Sequence, residues 1–222
     1  MMTLGEISQG EASRYMGVRV EPDERLKELL DKGEKMVLSC IRPQYVCREL
    51  PVEEREDGIL LSGTSVLLTG NDIKKHLSGC RKVVLMAATL SGEADKLIRQ
   101  TAITDMALSL AIDSLCSAAV EQVCNKAEEE IFAKIDAPYR TWRFSPGYGD
   151  LPLGLQSSLL NVLNAQRRIG LTVTASDLLI PSKSVTAIIG ISDEPVKQRA
   201  KGCAICTMRE SCAFRLSGRI CR

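Results

Sequence analysis

The sequence predicts an α+β fold, an antiparallel sheet with its helices gathered in blocks. Three observations point there. Strand-like segments follow one another directly: "YVCRELPV" then "GILLSGTSVLL", and later "LTVTASDLLI" then "SVTAIIGIS". A long proline-free, helix-periodic stretch separates the two groups. Strands adjacent in sequence with helices between the groups favour α+β over a regular βαβ alternation.

Each element has its own justification. Residues 22–39 read as a helix opened by Pro22, with Leu26, Leu29 and Leu30 at helical spacing and Gly33 interrupting or ending its first part. "DIKKHL" reads as a short helix capped by Asn71. "KVVLMAATL" is a buried strand by its length and β-branched content. From Ser91 to Lys134, Ile98, Ile103, Met106, Leu110, Ile112, Leu115, Val120 and Val123 keep a helical period, giving one broken helix or two packed ones. "LGLQSSLLNVLNAQRRIG" is an amphipathic helix ended by Gly170. The last two strands read as a hairpin joined through "PSK".

With 222 residues the chain can bury a substantial core; 45% hydrophobic and 26% charged residues are an ordinary globular balance. A net charge of +1 argues against a dedicated nucleic-acid binder. No apolar run reaches the roughly 18 residues of a membrane span. The start, "MMTLGEISQGEASRYMG", lacks a basic region followed by an apolar core, so a cytoplasmic location is expected. No Gly-rich loop follows a first strand, which disfavours a Rossmann-type methyltransferase.

The nine cysteines fall into two groups. Cys40, Cys47, Cys80, Cys116 and Cys124 lie among apolar residues and read as core fillers. Cys203, Cys206, Cys212 and Cys221 follow a C-x2-C-x5-C-x8-C pattern within a basic tail, which predicts a division into a domain at 1–194 and an appendage at 195–222. Four thiolates so spaced can hold one zinc ion or an iron–sulfur cluster, although the later spacings match no standard site. The surrounding arginines can dock an acidic electron donor such as a flavodoxin or a ferredoxin-like protein, or the surface of another partner.

"RTWRFSPGYGDLP" concentrates the chain's only tryptophan, Trp142, with Phe144, Tyr148 and a Pro-Gly pair. "SPGY" has the residues of a type II turn, with Pro146 setting φ and Gly147 tolerating a positive one. Arg143 offers a planar fork for a carboxylate or phosphate, and Trp142 or Tyr148 a π-face.

"RFSPGYGDLP" resembles the Arg-x-x-Pro-Gly-Tyr signature of the activation (reactivation) domain of cobalamin-dependent methionine synthase. "LIPSKSVTAIIG" resembles that family's Pro-x-x-Ser-Val segment. "ATLSGEADKLI" and "DSLCSAAVEQVCNKAEEEI" resemble its helices, and "EASRYMGVRVEP" the start of its stand-alone versions. The similarity spans roughly residues 10–192.

The resemblance implies a single domain with a bent antiparallel sheet flanked by helices that binds S-adenosylmethionine. Carried over, Arg143 grips the methionyl carboxylate, the backbone at Ser145 and Gly147 meets the nucleoside, and Tyr148 lies toward the cobalamin. Glu121 is the candidate acidic contact from the long helix, with Ser117 at a competing position. The chain departs from the family after Gly-Tyr, where "GDLPLG" replaces the usual proline-led run. It also lacks an identifiable N-terminal acidic contact, and its closing segment is replaced by the cysteine tail.

"DIKKHLSG" has Lys74 where a cobalamin-ligating motif needs aspartate, so His76 reads as an ordinary residue and the corrinoid is expected on a partner. The implied activity is reductive remethylation of a partner's cob(II)alamin. The competing expectation is a metal or iron–sulfur redox or interaction protein that has lost S-adenosylmethionine binding.

Overall fold

A computed structural model describes residues 2–18 and 21–196 of the chain. In order, the elements are α1 (Gln9–Tyr15), α2 (Glu24–Cys40), β1 (Gln44–Glu54), β2 (Ile59–Leu61), β3 (Leu67–Leu68), α3 (Asn71–His76), β4 (Lys82–Thr89), α4 (Gly92–Thr104) and α5 (Met106–Phe132). They continue with β5 (Tyr139–Arg140), α6 (Leu155–Leu163), α7 (Ala165–Ile169), β6 (Thr172–Val173), β7 (Leu179–Ile180) and β8 (Ser184–Ser192). The fold is α+β. Its main sheet runs β3-β2-β1-β4-β8-β5, with every neighbouring pair antiparallel.

β4 explains why its sequence reads as an unbroken apolar run. Val84, Met86 and Ala88 pack toward α5, while Val83, Leu85 and Ala87 pack into a second core with α6 and α7. Both faces of the central strand are covered, so alternation gives way to continuous burial. α5 is the hub of the first core. Its Ala111, Ala118, Ala119 and Ala127 are buried, and α1, α2 and α4 pack on it. By length and composition α5 is apolar enough to cross a membrane; here 67% of its most apolar window is buried inside the fold.

Four local expectations are corrected. Gly33 does not interrupt α2, which is continuous; a Cβ at Gly33 would lie 2.9 Å from Leu115 Cδ1, so the glycine permits close approach to α5. The cost of glycine within a helix, about 1 kcal/mol, is offset by that packing. Asn71 does not cap α3. Asp150, 79 residues away, accepts from the Asn71 and Asp72 amides at 2.6 and 2.9 Å. "LTVTASDLLI" and β8 are not a hairpin: β6 pairs with β7 around the 174–178 turn, while β8 is flanked by β4 and β5. The helix before Gly170 is divided at Asn164, whose φ is 52°.

The Ser91–Lys134 stretch does resolve into two helices, broken at Asp105, whose carboxylate caps α5 through the Leu108 amide. Cys116 and Cys124 are buried and Cys40, Cys47 and Cys80 half-buried, all as free thiols. Burial pushes the Cys116 and Cys124 thiols up to about 12 and Cys80 to about 11, consistent with packing rather than reactive roles. The four tail cysteines lie outside the described residues.

Candidate functional site

Segment 139–145 runs antiparallel along the edge of β8. Tyr139 and Arg140 pair with Ser192 and Ile191, and Phe144 brackets Ile188 with two backbone hydrogen bonds of 2.8 and 2.9 Å. Strand alternation then sends its side chains two ways. Trp142 and Phe144 pack with the buried His76, at ring distances of 4.7 and 4.9 Å. Arg143 and Ser145 turn to the other side, toward α5 and the β8 backbone. His76 Nε2 lies 2.9 Å from the Trp142 carbonyl, which ties α3 to the segment.

After Phe144 the chain leaves the sheet. Tyr148 N–H donates to the Ser145 carbonyl at 3.0 Å, and Gly147 has φ +89°, the geometry of the type II turn expected from "SPGY". Gly147 N–H donates to the Leu151 carbonyl at 2.9 Å, closing the loop on itself. Beyond this point β8 keeps β4 on one side and has no paired strand on the other among the described residues. Leu90 N–H donates to the Lys183 carbonyl, so odd-numbered residues of this strand face β4. The backbone of Thr186 and Ser184 therefore faces the open edge. The Ser145 hydroxyl bonds the Thr186 carbonyl there at 2.7 Å.

A cavity of about 520 Å³ lies between this edge, the turn and α5. Its lining includes Glu121, Asn125 and Glu128 from α5, with Arg140, Arg143, Ser145, Tyr148 and Val185. The structure thus brings Glu121, Arg143, Ser145 and Tyr148 to one place, whereas Gly147 shapes the turn without lining the cavity. Tyr148 is 52% exposed at the mouth.

The sequence presents Arg143 as a free fork; in the fold three of its five donors are already engaged. It donates to Glu128 Oε2 at 2.9 Å, Glu121 Oε2 at 3.1 Å and Asn125 Oδ1 at 2.8 Å. Glu128 also faces Arg140 Nε at 3.4 Å, and the Arg140 guanidinium stacks over Phe132 at 4.4 Å. Two carboxylates and two guanidiniums balance in charge. Asn125, Glu128 and Arg140 are residues that the sequence reading missed. For the two on α5 the available signal was helical spacing from Glu121, which puts 121, 125 and 128 on one face.

Such a lining suits a zwitterion. Two Arg143 donors are left over for an anionic group, and beside them stands the half-exposed Glu121 carboxylate, which can accept from a cationic one. The Ser145 N–H has no partner among the described residues and offers a further donor. Among those residues no His, Cys, Asp and Glu cluster could hold a metal ion.

No family model matches the chain, and no curated protein matches it. Among solved structures, it is similar to the crystal structure of the MetH reactivation domain bound to AdoHcy. The TM-score is 0.64 at 16% identity, covering 90% of this chain and 81% of that one. At that identity the likeness shows a shared fold.

Proposed function

We propose that the chain is an S-adenosylmethionine-binding reactivation component of cobalamin-dependent methionine synthase, serving cobalamin held by a partner's binding modules. The observation that carries this is the charge-balanced cavity at the open edge of β8, walled by Arg143 and Glu121, on a fold like that of a domain bound to AdoHcy. The cavity, about 520 Å³, carries cationic donors and anionic acceptors side by side, as a zwitterionic sulfonium requires. When bound, S-adenosylmethionine supplies an activated methyl group, which the partner's cobalamin accepts together with one electron.

In this reading, this chain's own residues do the positioning. Arg143 holds the carboxylate, Glu121 the ammonium, and the turn at Ser145–Tyr148 aims the sulfonium outward to a docked partner. No proton is moved, so no general base is needed; orientation and exclusion of water are the contribution. The reading also assigns the tail cysteines Cys203, Cys206, Cys212 and Cys221 to a zinc ion or iron–sulfur cluster. A flavodoxin or ferredoxin-like donor supplies the electron, and the setting is cytoplasmic.

Calorimetric titration with S-adenosylmethionine tests the reading: wild type binds, and Arg143→Ala weakens binding at least tenfold. Absence of binding by wild type overturns it. One observation favours a second reading. The guanidinium is already held by Glu121, Asn125 and Glu128, as it would be in a pocket closed for good. The chain would then act through its tail, as a metal or iron–sulfur redox or interaction protein. Iron, sulfide and zinc analysis after anaerobic purification, beside the titration, separates the two.

A further inference from the structure

Where α4 turns back into α5, three large apolar side chains stand in solvent. Ile103, Met106 and Leu110 are 86%, 70% and 52% exposed. The Ser109 hydroxyl donates to the Ile98 carbonyl at 3.0 Å, so the two helices form a hairpin with Asp105 at its tip. Met106 and Leu110 lie one turn apart on the outer side of α5, with Ile103 just across the tip. From residue 100 to residue 112 the only charged side chain is Asp105, although 26% of the chain is charged. That carboxylate is turned to its own helix, where it accepts from the Leu108 amide at 3.0 Å.

Single exposed apolar residues need no explanation, but a contiguous group without charge marks a contact surface. The three side chains offer roughly 400 Å², as much as the largest apolar patch on a typical monomer. A standard interface takes roughly 800 Å² from each partner, a little over half of it apolar. The tip therefore supplies close to the whole apolar share of one such contact.

We infer that the α4–α5 tip binds a second copy of this chain about a two-fold axis. This contact does not depend on the functional reading above. In such a contact each residue near the axis comes against its own equivalent. A charge there would meet itself, and the uncharged Ile103 and Met106 avoid that; an unlike partner imposes no such restriction. The flanks are also self-complementary. Arg99 stands exposed one turn before Ile103 on α4. Asp113, which holds Lys183 yet is 46% exposed, stands one turn after Leu110 on α5. A two-fold axis along the hairpin lays α4 of one copy over α5 of the other, setting Arg99 opposite Asp113 of the second copy. A net charge of +1 adds little repulsion between copies. Glu121, where the cavity begins on α5, is roughly 22 Å along the axis from Met106, so the contact leaves both cavities accessible.

Sedimentation velocity of the full chain, with reductant present to exclude thiol cross-links, tests this. At about 100 μM, above the micromolar Kd expected of a contact of this size, the mass should approach twice 24.3 kDa. Met106→Lys should weaken dimerisation by about 100-fold or more and leave a monomer. Leu178→Lys, at a similarly exposed leucine in the 174–178 turn, should leave the dimer intact. A wild type that is monomeric at this concentration overturns the inference. So does a dimer that survives Met106→Lys, or one that Leu178→Lys disrupts as fully. Should Met106→Lys fail to fold, Leu110→Lys carries the same comparison.

Discussion

The two sides of the segment 141–145 do opposite things with the same backbone. On one side Trp142 and Phe144 close against His76 and the second core, with rings 5.3 Å apart. On the other, Arg143 and Ser145 face a polar groove between α5 and the β8 edge. The apolar side anchors a strand whose polar side then has fixed positions, so the guanidinium is presented by the sheet edge rather than by a loop. A site built this way should separate cleanly under mutation: changes on one side cost stability, changes on the other cost binding.

The largest expected effect is on the anchoring side. Phe144 is 3% exposed, and Phe144→Ala should destabilise the fold by about 3–5 kcal/mol, read by denaturant unfolding. The fraction that remains folded should bind S-adenosylmethionine with nearly normal affinity. A loss of affinity as large as that of an Arg143 variant would mean that the two sides are not independent. Arg143→Ala is the converse. Glu121 is half-exposed and Glu128 keeps Arg140, so stability should change by no more than about 1 kcal/mol. Binding should fall by about 1.5–3 kcal/mol, the range for hydrogen bonds to a charged group. A large stability loss with binding retained would reverse the assignment of sides.

The turn that ends the segment sits between these extremes. Gly147 has φ +89°, while the nearest atom to an added Cβ, Leu153 Cδ1, is 3.4 Å away. Gly147→Ala should therefore act through backbone strain rather than crowding, costing about 1–2 kcal/mol. Binding should weaken in step only if the turn itself touches the ligand. Equal stability of variant and wild type would show that the turn relaxes to another type.

How much of this could be read beforehand follows from what each feature depends on. The grouping of Arg143, Ser145 and Tyr148 was legible because they stand within six consecutive positions, a short edge segment running straight into a tight turn, and both are local. The α+β class was legible because periodicity and Gly/Pro punctuation are local too. Asn125, Glu128 and Arg140 were not, because their roles depend on how α5 is registered against β8, which is a tertiary matter. The Asn71 cap was misread for the same reason: a search for a local cap cannot see Asp150 arriving from a distant loop. The supposed hairpin before β8 failed because two adjacent strand signals do not say which strand each will pair with.

The smallest effect expected is also the one that tests how the polar side is tied to α3. Asp150, in the departure "GDLPLG", accepts from the Asp72 and Asn71 amides, and these bonds hold its carboxyl below the ordinary carboxylate value. A group whose folded pKa is lowered contributes stability above its unfolded pKa, about 4, and loses that contribution as pH falls through the folded value. The wild type should therefore lose an increment of Tm on acidification that Asp150→Asn lacks. The gap between the two should narrow from pH 6 toward pH 3. The group is exposed, so the increment is small. A gap that stays constant over that range would show that the carboxylate charge does not hold the loop to α3, leaving the turn fixed by Gly147 and Leu151 alone.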